Sequence, residues 1–457
     1  MLSTRPAAQL LITLLLSSAT AAAGGRLPSL VLVMADDLGY GDLGCYGQRA
    51  IRTPHLDRLA QEGLRFTDFY AGSTVCAPSR CVLMTGLHTG HCFIRGNGLV
   101  DLRPEDVTVA EVLKGAGYAT ALFGKWGLGH EGSQGVPTRQ GFDRFFGFLD
   151  QAHAHNYYPS FLIDDERRLP LRNVVPQEGS RGQGQASEKL DYAPDLIFAR
   201  ATQWLREVDE SQPFFLYLPY TIPHANNEAG REGMEVPELS IYADRDWPEP
   251  QKAHAAMITR MDAEIGQLLE LLEELGRTAD TLVLFTSDNG PHAEGGNDPD
   301  FQDSNGPLRG IKRSLHEGGI RVPLIARWPG HIAAGTVSDR LGSFADLLPT
   351  AAELAGVSAP EGLDGLSLLP TLRGRKLPGA NHLYWEFYEG RGAQAVRFGR
   401  WKAIRKPMFE GQIRLYDLAL DLGEDHDLAA DHPDEVLRAR ELMESEHVPS
   451  PLWKPRR

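Results

Sequence analysis

Cysteine is scarce in this chain. Four residues in 457, at Cys45, Cys76, Cys81 and Cys92, are too few to hold a protein of this length together as a disulfide scaffold. Cations are outnumbered too: 46 Lys and Arg stand against 61 Asp and Glu, a formal net charge of −15. That balance excludes nucleic-acid binding through bulk charge. An anionic ligand would have to be met by a local cluster of cations against the global field. Long apolar runs are missing beyond the N-terminus. There, Arg5, the apolar stretch 10–16 and the small residues Ala21-Ala22-Ala23 have the layout of an export signal over residues 1–23. The stretch is too short to span a bilayer, and no cysteine sits beside the cleavage pattern to carry a lipid. The mature chain is therefore expected to lack a transmembrane segment and to be exported, to a periplasm or the extracellular space.

What the chain has instead is apolar runs that stop at polar groups. Leu30-Val31-Leu32-Val33-Met34-Ala35 stops at Asp36-Asp37. Thr281-Leu282-Val283-Leu284-Phe285-Thr286 stops at Ser287-Asp288-Asn289-Gly290, and Phe214-Phe215-Leu216-Tyr217-Leu218 leads to Pro223-His224. Each has the character of a buried parallel strand, and open α/β sheets place their sites at strand ends. A helix is predicted over residues 252–275, with Met257, Met261, Ile265, Leu268 and Leu272 at three- and four-residue spacing and Gly276 as its stop. Residues 177–189, rich in Gly, Ser and Gln, are predicted to form an exposed loop. Past a basic, Pro- and Gly-containing linker near 374–380, short strands over 382–387 and 393–404 and a final helix over 435–444 suggest a smaller unit. The expected fold is α/β: a large mixed, mostly parallel sheet flanked by helices over residues 24–376, then a smaller antiparallel sheet plus helix over 377–457.

Cys76-Ala77-Pro78-Ser79-Arg80 opens a predicted helix that runs to Met84. Pro78 fits a first helical turn, where its missing N–H costs little. Helix-start N–H groups favour an anion beside residue 76, and Arg80, one turn on, carries a fork of donors. Asp36, Asp37, Asp288 and Asn289 are hard oxygen ligands, a set suited to Ca2+ or Mg2+ rather than zinc. Helix caps and turns use the same residues. A soft-metal set of Cys76, Cys81, His88, His91 and Cys92 lacks the paired short spacings of zinc sites. Lys125 sits in the Gly-rich, aromatic segment Phe123-Gly124-Lys125-Trp126-Gly127-Leu128-Gly129. Lys312 precedes His316-Glu317-Gly318-Gly319-Ile320-Arg321-Val322-Pro323.

On these residues the chain resembles the formylglycine-dependent sulfatases of the alkaline phosphatase superfamily. Cys-x-Pro-Ser-Arg is that family's signature for oxidation of a cysteine to Cα-formylglycine. The resemblance runs from residues 31–39, through Thr53-Pro54-His55-Leu56-Asp57, to the C-terminal strands. It implies a secreted sulfuric ester hydrolase with Cys76 as the converted nucleophile. Asp36, Asp37, Asp288 and Asn289, with residue 76, would hold Ca2+, ahead of Mg2+. Arg80, Lys125 and Lys312 would stabilise charge on sulfate, and His224 and Lys312 would assist the leaving group. The implied partners are a sulfated small molecule or glycan as substrate and a formylglycine-generating or anaerobic sulfatase-maturating enzyme. One position departs from the pattern: the family's Gly-Lys-Trp-His-Leu-Gly has Gly127 in place of the histidine that helps deprotonate the diol. His130, or a histidine of His153-Ala154-His155-Asn156-Tyr157-Tyr158, is the candidate to stand in. His130, Gln151, His153 and His155 are the candidate substrate-binding residues, and Trp385 could face a sugar or simply pack. Two other readings stay open, a formylglycine phosphonate or phosphodiester hydrolase and a catalytically weak sulfoglycan-binding protein. A Cys81–Cys92 bridge is open as well.

Overall fold

The computed structural model describes residues 26–376 and 378–456; the expected export signal lies outside them. Among the described residues the centre is a ten-stranded sheet. Its middle strands, Thr281–Ser287, Ser29–Ala35, Phe214–Pro219, Ala119–Lys125 and Arg144–Phe148, run parallel in that spatial order. Leu324–Arg327 joins one side antiparallel, and Phe161–Asp164 and Arg167–Pro170 join the other the same way. The sheet is mixed and mostly parallel at its core, as expected.

Both faces are covered, which is why the strands are apolar without interruption. Along Ser29–Ala35, Leu30, Leu32 and Met34 enter the core that holds the helices Cys76–Thr85 and Leu347–Leu354. Val31, Val33 and Ala35 enter the opposite core, with the helices Ala193–Glu207 and Glu249–Glu274. The period of two thus splits one strand between two cores. Each large side chain buried there stabilises the fold by roughly 1.5–3 kcal/mol. The long helix starts earlier than its periodicity suggests, because Pro250 sits in its first turn. It ends before Gly276, whose φ of 65° the other residues resist.

The C-terminal sheet is four antiparallel strands, His382–Phe387, Ala393–Phe398, Trp401–Arg405 and Ile413–Asp417. The predicted segment 393–404 is thus two strands joined at Gly399-Arg400, and a further strand follows. The helix Pro433–Ser445 covers one face through Ala439 and Met443. The other face packs on Tyr70, Val75, Leu315 and Ile320 of the larger unit. Trp385 belongs to that second contact. It is buried and its indole N–H donates to Ala71 O at 2.9 Å, so it anchors the sheet and does not face a sugar. A buried charge network lies beside it. Lys402 meets Glu317 at 2.8 Å and Glu424 at 3.6 Å, while Arg321 and the Tyr70 hydroxyl hold the other oxygen of Glu317. All four cysteines are free, Cys81 and Cys92 included.

Candidate active site

Parallel pairing in register brings the acidic ends together. Ala35 pairs with Ser287, so Asp36-Asp37 and Asp288-Asn289 leave the sheet side by side. Asp37 adopts a φ of 63°, a left-handed conformation unusual for an aspartate. It is held there on both sides: its N–H donates to Asp288 Oδ1 at 3.1 Å, and Asn289 Nδ2 donates to Asp37 Oδ1 at 2.7 Å. None of these four residues is exposed. Burial, then the neighbouring charge of Asp36, pushes the Asp288 carboxyl up to about 6. Asn289 Oδ1 is buried with no hydrogen-bond partner. An overcrowded carboxylate set with an orphaned amide oxygen fits a hard divalent cation.

Cys76 is the first residue of its helix, and its Sγ lies 3.5 Å from Asp36 Oδ1. The Sγ, Asp36, Asp37 and a ring nitrogen of His224 lie within 4.8 Å of one another. Burial pushes the Cys76 thiol far up, and Asp36 and Asp288 push it the same way against Lys125. An unmodified thiol would therefore stay protonated here and be a poor nucleophile. Ser79 ties the motif down. Its hydroxyl donates to Asp288 O at 2.5 Å and accepts from Gly72 N–H at 3.1 Å. Arg80, 1% exposed, donates to Asp288 Oδ2 through Nη2 at 2.8 Å and to Lys125 O through Nη1 at 2.6 Å. Three of its five N–H groups are thus engaged with the carboxylate and the main chain, which fixes the guanidinium with Nη2 3.6 Å from Asp36 Oδ1.

The two lysines are each held by one of the paired aspartates. Lys125 Nζ donates to Asp36 Oδ2 at 2.7 Å, and Lys312 Nζ donates to Asp37 Oδ2 at 2.7 Å. Burial opposes their charge, but the aspartates outweigh it and raise both above the ordinary lysine value. His224 Nδ1 lies 2.7 Å from Ala225 O and must donate to it. That leaves Nε2 as an acceptor, and Lys312 Nζ sits 2.9 Å from it. Burial and then Lys312 hold His224 well below its usual range, so the imidazole is neutral.

Three groups here went unmarked in the sequence. Glu294 Oε2 lies 3.3 Å from Lys312 Nζ, and Arg313 Nη1 donates to its other oxygen. Burial works to raise the Glu294 carboxyl, yet Lys312 and Arg313 hold it at about 2. His292 accepts from Glu294 N–H and meets Pro223 O, fixing the loop over the site. Glu228 pairs with His155 at 3.2 Å. Nearness to the Asp288 strand end was the only signal for Glu294 and His292, and spacing does not reveal that the loop folds back onto Lys312.

The four candidate substrate residues separate. His155 stacks on the His224 ring at 4.9 Å and belongs to the site. His130 does not: Asp101 and Asp150 hold its two nitrogens at 2.6 Å and 3.2 Å. His153 is 2% exposed, wedged against Phe148 and Phe161, and burial pushes it down to about 4. Neither joins the cluster around Cys76, and so neither stands in for the absent histidine. Gln151 borders Gly127 instead. A Cβ at 127 would fall 2.0 Å from Gln151 Nε2, and the φ of Gly127 is 78°. The amide fills the space a side chain at 127 would need, but it has no titratable group.

A family model described as Sulfatase matches residues 28–357, and one described as N-sulphoglucosamine sulphohydrolase, C-terminal, matches residues 311–446. Arylsulfatase A of Homo sapiens is 38% identical over 421 residues, covering 86% of this chain and 77% of that protein. N-acetylgalactosamine-6-sulfatase of Mus musculus is 34% identical over 415 residues, covering 87% and 75%. Among solved structures, Ps i-CgsB in complex with k-i-k-neocarrahexaose superposes with a TM-score of 0.79 at 28% identity, over 94% of this chain and 95% of that one.

Proposed function

The chain belongs to the sulfatase family and is a sulfuric ester hydrolase, and from that premise we propose an exported, formylglycine-dependent enzyme that removes sulfate from a sulfated carbohydrate. The observation that carries the mechanism is the packing of Cys76, two carboxylate-held lysines and His224 around one buried acidic cluster. Cys76 would be the residue matured to formylglycine, and the hydrate of that aldehyde would supply a hydroxyl nucleophile with a second hydroxyl on the same carbon for the release of sulfate. Asp36, Asp37, Asp288 and Asn289 would hold Ca2+, whose charge would polarise a sulfuryl oxygen.

The chain's own groups do the rest. Lys125 and Lys312 bring positive charge to a site that is buried and therefore weakly screened, where fixed cations stabilise developing charge most. Arg80 keeps Asp288 and the Lys125 main chain in place. Lys312 Nζ offers a proton to the leaving oxygen, and His224 Nε2, already its acceptor, exchanges that proton with it. With glycine at 127, the same pair lies beside residue 76 and would be the group to take a proton there. His155 and Glu228 support the imidazole from the outer side.

Support for a carbohydrate substrate comes from the relative named N-acetylgalactosamine-6-sulfatase and from the neighbour Ps i-CgsB, solved in complex with k-i-k-neocarrahexaose. Among the described residues no helix is long and apolar enough to cross a membrane, which is compatible with export behind a cleaved leader at 1–23. We assign residues 24–376 to the catalytic unit and 377–457 to the smaller one. Cys76→Ser tests the mechanism. It is expected to abolish multiple turnover while permitting one covalent sulfation, read by sulfate release and intact mass; undiminished steady-state turnover would overturn it. Faster hydrolysis of a matched phosphodiester than of the sulfate ester would favour the phosphodiesterase reading.

A further inference from the structure

A cavity of about 180 Å3 is used by none of the steps above. It lies one strand outward. Phe148 pairs with Lys125 in the sheet, and Leu149 and Asp150, the next two residues, line the cavity. The turn His153–His155 joins the two places: His153 lines the cavity while His155 stacks on His224.

The lining has two characters. Leu149 and Ile163 make an apolar floor, and Phe161 joins them beneath the Arg168 guanidinium, which lies 4.3 Å from its ring centre. Two forked ion pairs make the walls. Arg181 grips Asp150 at 2.9 Å and 2.8 Å, and Arg168 grips Glu131 at 2.8 Å and 2.9 Å. Beneath them His153 is buried with Nε2 lacking any partner. The loop predicted at 177–189 closes one side. Gly182 lies so near the His153 ring that a Cβ there would come within 2.6 Å of it, which seats Arg181 over the cavity.

We propose that this cavity is a subsite for an uncharged sugar ring next to the one that carries the sulfate ester. An apolar floor suits the C–H face of a pyranose, and planar guanidinium and carboxylate groups at its edge suit hydroxyls. Charge selects the neutral ring over a second sulfate. Arg181, Arg168 and His130 already face Asp150, Glu131 and Asp101, so no cation is left over for an anion. The subsite rests on the sulfatase reading above. It adds that the substrate is at least a disaccharide.

The test uses the full mature protein, native and with Arg181→Ala or Arg168→Ala. Both arginines are partly exposed, so neither change threatens the fold. The readout is kcat/KM for a sulfated hexasaccharide divided by kcat/KM for 4-nitrophenyl sulfate. The hexasaccharide is a carrageenan in which a neutral anhydrogalactose stands beside the sulfated galactose; a chondroitin 6-sulfate hexasaccharide, whose neighbouring ring carries a carboxylate, is the anionic control. The ratio should fall about tenfold in each variant, mostly through KM. An unchanged ratio, a parallel loss on both substrates, or a native protein that hydrolyses the aryl sulfate but not the carrageenan would overturn the subsite alone. A native, matured protein that releases sulfate from none of the three would overturn the sulfatase reading first and the subsite with it.

Discussion

Two buried charge networks lie in this molecule, and they differ in one respect. Around Glu317, each carboxylate faces a cation or a donor: Lys402, Arg321, the Tyr70 hydroxyl and the Glu317 N–H close the set. Around Asp288, three aspartates crowd one point, and Asn289 Oδ1 is left without a partner. The pKa directions record the difference. Burial works to raise both groups, but Glu317 is held down at about 2 while Asp288 rises to about 6. The first network leaves Glu424 Oε1 with only Lys402 at 3.6 Å, yet its cations hold Glu317 down, and it joins the small sheet to the large unit. In the second, burial and the crowding of like charges outweigh the cations at Asp288. Crowding of like charges, seen in the raised Asp288 carboxyl, marks the functional site here; buried charge as such does not.

The sharpest way to break the comparison is to remove one cation from each network. Lys402→Met should destabilise the protein by about 3–5 kcal/mol, because it strands Glu317 and Glu424, and thermal unfolding would read this. Lys312→Ala should lower kcat by about 100- to 1,000-fold, and with Ca2+ added to offset the charge of Asp37 its unfolding midpoint should fall less than that of Lys402→Met. Exchanged outcomes would dissolve the distinction.

Acid titration gives a smaller effect with opposite signs in the metal-free protein. The Glu317 carboxyl is depressed on folding, so its stabilisation is present above the ordinary value of 4.5 and is lost as pH falls from there through about 2. Asp288 is raised on folding, so metal-free stability should decline as pH rises from 3.8 through about 6. Stability curves of Glu317→Gln and Asp288→Asn against the native protein would separate the two. Asp288→Asn should be no less stable than the native protein without metal, yet should lose the upward midpoint shift that added Ca2+ gives the native protein. A native protein whose midpoint ignores Ca2+ would contradict the oxygen-ligand reading. The smallest effect is expected at Glu294. Glu294→Gln keeps the shape but weakens the hold on Lys312, and kcat should fall about tenfold with KM little changed.

The strand ends and the Cys76 motif were legible because both are local patterns: an apolar run stopping at carboxylates, and five consecutive residues. Partners set by folding were not. Arg80 carries its fork of donors legibly in the sequence, and only the converging strands show Asp288 and Lys125 O holding three of its N–H groups. His130 is near Gly127 in sequence, but the chain turns away over those three residues and Asp101 and Asp150 take both nitrogens. Trp385 stands on a strand whose alternation cannot tell which face another unit will cover. The strand Ile413–Asp417 is short, and its pairing to Trp401–Arg405 supplies what its own pattern does not.

The most direct measurement is peptide mass spectrometry of residue 76 in protein that is actively releasing sulfate, with a hydrazide to capture carbonyl groups. An aldehyde at position 76, in a fraction that scales with specific activity across preparations, is the predicted result. A fully active preparation with an intact cysteine at 76 would contradict the account.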